Sequence, residues 1–167
     1  NKIKIISSTA ELAIGLMLFL ERKINISSND VLENRNWNRD KFNSLQIQSL
    51  RFGIIGFGRI GNKISKFLKK FNVKKIMVND IKKINSVKNY DKKFIFKNSD
   101  VIFLTASDLG VGKILDKKKL KYLNNKSIFI NFSRGSLIDE TYLFKRLSIG
   151  KLGGLGLDVL ENENKKN

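Results

Sequence analysis

The chain has 167 residues, 41% of them hydrophobic, enough for one compact domain with a buried core. It contains no cysteine and no histidine, which excludes disulfides, thiolate or imidazole metal sites, and any Ser-His-Asp triad or histidine acid drawn from these residues. Its 33 basic and 15 acidic residues leave a net charge of +18. Such a charge suits nucleic acid, but the lysines fall in scattered short runs (Lys69 and Lys70, Lys82 and Lys83, Lys117 to Lys119), the pattern of a solvated surface, so a nucleic-acid partner is not expected.

Ser8 or Thr9 can cap a first helix, and Glu11 suits its positive first turn. This helix is expected over 8–23. It is apolar on nearly all sides, as in helices that are buried or lie in an interface. Its apolar stretch, 12–20, is about half the length that spans a bilayer and lacks a signal-peptide layout, so a cytoplasmic protein with no membrane partner is expected. Residues 25–50 are polar, with lone anchors at Trp37, Phe42 and Leu45, and read as a long connection with little regular structure. Strands follow at 52–56, 75–80, 101–105, 127–131 and 155–159. Helices are expected over 61–71, with Ile64, Phe67 and Leu68 on one face, and over 139–149, with Leu143, Phe144 and Leu147 inward. Short apolar strands alternating with helices imply an α/β fold, a parallel sheet with helices on both faces.

Gly56-Phe-Gly58-Arg-Ile-Gly61 follows the first strand directly and opens a helix, the context a dinucleotide fingerprint requires. The first glycine permits the tight turn, the second lets backbone approach a pyrophosphate, and the third lets helix and strand pack closely. Asp80 ends the next strand, where a carboxylate accepts hydrogen bonds from ribose hydroxyls and repels a 2′-phosphate. NAD is therefore expected over NADP, although Lys82 and Lys83 stand near enough to favour a phosphate. FAD, an S-adenosyl ligand, or no ligand at all are the other readings of such a turn.

Four segments together resemble the NAD-binding domain of the D-isomer-specific 2-hydroxyacid dehydrogenases, the phosphoglycerate dehydrogenase-like family. They are 8–17, 52–61, 130–140 around Arg134, and 153–163, which carries Asp158 and Glu163. The resemblance implies a Rossmann-type doubly wound sheet. It also implies hydride transfer between NAD and C2 of a D-2-hydroxy or 2-oxo acid. Arg134 would grip the substrate carboxylate and polarise its carbonyl, since a planar, permanently charged fork suits both tasks. Glu163, with Glu161 as near competitor, would hydrogen-bond a catalytic histidine and raise its pKa. Asp158 would sit near the nicotinamide, and Phe132, Ser133 and Arg134 would line the cofactor site. Arg59 and Ile60 would meet the pyrophosphate through their backbone. The first helix would lie near a homodimer contact. From the residues alone, Arg134 also reads as a surface arginine, and Asp158 and Glu163 as solvated acids.

The chain departs from the family pattern in three ways. The catalytic histidine is missing, Asn164 stands where a proline usually follows the glutamate, and 105–112 lacks the usual proline-containing loop. The expected organisation is a first helix and connection (1–50), a Rossmann domain (51–163) and a truncated polar tail (164–167). The substrate domain is essentially absent, as in a fragment that is inactive alone. A decayed dehydrogenase or an NAD-binding regulatory module is the alternative, and a basic nucleic-acid binder the remote one.

Overall fold

The computed structural model describes residues 2–35, 38–85, 87–110 and 112–161, and for 2–6 and 39 the backbone alone. Trp37, Glu163 and the 164–167 tail lie outside the described residues.

Five parallel strands form one sheet in the order β2-β1-β3-β4-β5. They are β1 (Arg51–Ile55), β2 (Lys75–Asn79), β3 (Val101–Leu104), β4 (Ile128–Asn131) and β5 (Gly154–Leu157). Each lies within a residue or two of its expected span. The helices are α1 (Lys2–Glu21), α2 (Ile24–Asn34), α3 (Arg59–Lys70), α4 (Lys92–Asn98), α5 (Lys117–Leu120) and α6 (Glu140–Ser148). The sheet is buried on both faces, so its strands alternate between two cores. Phe52, Ile54, Val101, Phe103, Ile128 and Ile130 pack with Ala10, Ala13, Ile14 and Met17 of α1 and Ile64 and Leu68 of α3. Ile55, Ile102, Leu104 and Phe129 pack with Ile95 and Phe96 of α4, Leu120 of α5 and Leu143 of α6. Each fully buried side chain of this size contributes about 2–3 kcal/mol. Phe52 and Phe103, on neighbouring strands, stack with ring centroids 6.3 Å apart.

Four expectations need correcting. The first helix begins well before Ser8 and Thr9, which sit inside it rather than at its cap. Residues 25–50 are not a bare connection, because α2 and two short 3₁₀ turns occupy much of it. Asp30 of α2 is buried and receives Lys41 at 2.7 Å and Asn34 at 3.0 Å, a polar anchor that no apolar period reveals. The Leu45 side chain is 60% exposed and only its N–H is held, donating to Glu21 of α1 at 3.2 Å, while Phe42 is partly buried. On α6, Leu143 is buried but Phe144 and Leu147 face solvent. Besides Leu143, α6 buries two charged side chains, Glu140 and Arg146, the latter donating to the Leu123 carbonyl at 2.9 Å and to Asn125 at 3.0 Å. Among the described residues, no helix is long and apolar enough to cross a membrane.

Candidate functional site: a dinucleotide crevice at the sheet edge

After β1 the chain goes to β2 on one side, and then to β3 on the other side of β1. The C-terminal ends of β1 and β3 therefore flank the crevice where open α/β sheets bind ligands. Gly56 to Gly58 leave β1 here, and Thr105 and Ala106 leave β3.

The three glycines differ physically. Gly56 has φ +90°, a region L-residues rarely adopt, and a Cβ there would strike the Thr105–Ala106 backbone. Gly61 is closed by the Gly56 carbonyl, Thr105 Oγ1 and Ile54. Gly58, in contrast, has nothing within 4 Å of where a Cβ would stand. It is the N-cap of α3 and, having no side chain, offers no acceptor to the first-turn N–H groups. The first-turn N–H groups of α3, including those of Arg59 and Ile60, thus adjoin open space at the positive end of a helix. Thr105 holds the turn from below, its hydroxyl donating to the Gly56 carbonyl at 2.6 Å.

Asp80 lies beside this turn because β2 is in register with β1, Ile55 opposite Asn79. Its Oδ2 accepts the Phe57 N–H at 2.6 Å, and its Oδ1 accepts the Lys82 N–H at 2.8 Å. Asn89 clamps the Asp80 backbone on both sides, accepting its N–H at 3.1 Å and donating to its carbonyl at 2.8 Å. The carboxylate is thereby fixed at the rim of the turn, with an acceptor lone pair on each oxygen to spare.

Across the crevice, Ser133 and Arg134 follow β4. The Ser133 hydroxyl donates to the Ala106 carbonyl at 2.6 Å, tying the β3 and β4 loops together. Asn131 is fully buried and clamps the loop from within, accepting the Ser133 N–H at 2.9 Å and donating to the Arg134 carbonyl at 3.2 Å. Phe132 sends its ring into the core, so only its backbone is at the strand end. Arg134 is exposed and donates through Nη1 to the Ser133 carbonyl at 2.8 Å. No acid pairs with it among the described residues. Asp158 extends β5, its N–H donating to the Asn131 carbonyl at 3.1 Å, and its side chain is exposed. Glu161, the near competitor of Glu163, is paired with Lys113 at 3.0 Å.

The structure therefore brings the Gly56–Gly61 turn, Asp80, Ser133, Arg134 and Asp158 to one edge of the sheet. The clamps Thr105, Asn89 and Asn131 escaped the sequence reading. Their only signal is a polar residue closing, or following, an apolar strand; Thr105 meets Gly56 through strand order, Asn89 meets Asp80 through a returning loop, and Asn131 closes on its own loop.

The sequence profile for "D-isomer specific 2-hydroxyacid dehydrogenase, NAD binding domain" matches residues 14–167. D-3-phosphoglycerate dehydrogenase of Archaeoglobus fulgidus is 31% identical over 93% of this chain and 31% of its own length. Hydroxypyruvate reductase of Thermotoga maritima is 31% identical over 93% of this chain and 52% of its own length. The chain thus spans about half the length, or less, of these relatives. The D-lactate dehydrogenase of Lactobacillus jensenii, solved with NAD+, superposes with a TM-score of 0.86 at 26% identity, covering 97% of this chain and 52% of that one. With a matching family profile over nearly its whole length and this strand order, the chain belongs to the D-isomer-specific 2-hydroxyacid dehydrogenase family, as its NAD-binding domain.

Proposed function

We propose that this domain serves an oxidoreductase that moves hydride between NAD and C2 of a D-2-hydroxy or 2-oxo acid. The observation that carries the cofactor half is Gly58. Its missing Cβ opens onto empty space beside an uncapped helix N-terminus, while Gly56 and Gly61 are closed by protein. A pyrophosphate suits that space, held by N–H groups of Gly58, Arg59 and Ile60. Asp80 would accept the adenosine ribose hydroxyls and disfavour a 2′-phosphate. Bound NAD supplies a hydride acceptor and donor at nicotinamide C4.

Arg134 would hold the acid's carboxylate and draw electron density from its carbonyl. Its guanidinium is held through one nitrogen, which leaves the rest of the fork for substrate. Ser133 and the Phe132 backbone would border the nicotinamide side, with Asp158 beside them. Glu163 would polarise the histidine that donates the proton, and this chain contains no histidine. A homodimer is proposed from the exposed apolar side of α1, and a cytoplasmic setting from a cofactor that is recycled inside the cell.

Calorimetric titration with NADH and NADPH tests the reading. NADH should bind at least about tenfold tighter, the effect of one unfavourable charge contact; equal affinities would contradict the role of Asp80. The purified chain should reduce no 2-oxo acid, and measurable turnover would contradict the assignment of the proton donor to a histidine.

A further inference from the structure

Asp80 on β2 and the glycine turn after β1 take the adenosine and pyrophosphate in the reading above. The strand order then sends the rest of the dinucleotide the other way, across the ends of β3, β4 and β5. The loops after those strands are held together by groups with no place in the cofactor fingerprint. Glu140, the first residue of α6, is only 9% exposed, and its Oε1 accepts the Glu161 N–H at 2.9 Å. Gly135, directly after Arg134, leaves the Leu160–Glu161 backbone so close that a Cβ would strike it. Lys113, from the β3 loop, pairs with the Glu161 carboxylate at 3.0 Å. The turn after β5 is thus pinned at Asp158 by Asn131 and at Glu161 by Glu140.

From this geometry we infer that Glu140 is a positioning residue for the nicotinamide half of the site. Its carboxylate fixes the turn carrying Asp158 against the loop carrying Arg134, and touches neither cofactor nor substrate. The role rests on the NAD reading. It predicts a selective effect: loosening the turn should weaken contacts to the nicotinamide and spare those to the adenine and pyrophosphate. A residue that merely stabilised the fold would weaken both.

The test is calorimetric titration of the full chain with NADH and with ADP-ribose, which has everything but the nicotinamide. Glu140→Ala should weaken NADH binding about tenfold, the loss of one hydrogen bond to a charged acceptor, and leave ADP-ribose within about twofold. Glu140→Gln keeps the accepting oxygen and should return NADH affinity to within about threefold of wild type. Lys113→Ala cuts the same turn's exposed ion pair without touching the core, and should give the same selectivity at smaller size. Equal weakening of both ligands, no weakening by either alanine variant, or failure of the glutamine to rescue would overturn the inference. If Glu140→Ala does not fold, Lys113→Ala decides alone. A wild-type chain that binds neither ligand would overturn the NAD reading itself.

Discussion

At the residue scale, three glycines that look alike in the sequence do different work. Gly61 lets α3 approach β1, because a methyl group there would lie 2.9 Å from Thr105 Oγ1 and 3.0 Å from Ile54, and closer still to the Gly56 carbonyl. Gly61→Ala should therefore cost about 1–3 kcal/mol of stability by overpacking. Gly58→Ala, with open space around it, should leave stability nearly unchanged. Urea melts of the two variants check this, and equal midpoints would contradict it. The spacing of the glycines and the position of Asp80 were legible because they follow one another along the chain. The clamps from Thr105 and Asn89 were not, since each closes on a partner that only strand pairing or a returning loop brings near; Asn131 closes on Ser133 and Arg134, two and three residues on, and shows in the sequence only as a polar residue ending an apolar strand.

At the element scale, the sheet is fastened at its other edge. Arg51 opens β1 and meets Asp100, just before β3, through Nε at 3.0 Å, Nη2 at 2.7 Å and its own backbone N–H at 2.8 Å. Burial pushes the Asp100 carboxyl up, but the hydrogen bonds and charge of Arg51 outweigh it and leave it below the usual aspartate range. A carboxyl lowered by folding stabilises fully above its unfolded value, near pH 4, and loses that contribution as pH falls through the folded value. Arg51 is more than a third exposed, so water discounts the pair. Asp100→Ala should cost about 1 kcal/mol at pH 7, with the gap to wild type closing below about pH 4. A gap that stays constant with pH would contradict the assignment. The five strands and α3 were readable because continuous apolar runs and a clear helical face survive any context. α2 was not, because Asp30 anchors it through charge. Nor was the inner face of α6, where a buried arginine replaces two expected apolar contacts.

At the scale of the whole molecule, the α/β fold with its five parallel strands was legible, whereas the helices α2, α4 and α5 and any surface association were not. The apolar side of α1 left uncovered includes Leu12, 53% exposed, and Phe19, 37% exposed, seven residues apart and so on one helix face. Two such faces are proposed to meet in the homodimer, against the mutual repulsion of two +18 chains. Sedimentation should show more dimer as salt rises and its screening length falls below about 10 Å, and Leu12→Glu should be monomeric at every salt concentration. A monomeric wild type, or a dimeric variant, would contradict that interface. The cofactor crevice is tested most directly by NADH titration of the wild type beside Gly58→Val, with thermal melts confirming that both are folded. The wild type should bind saturably and the folded valine variant should not bind. No saturable binding by the wild type, or equal binding by both, would contradict the account.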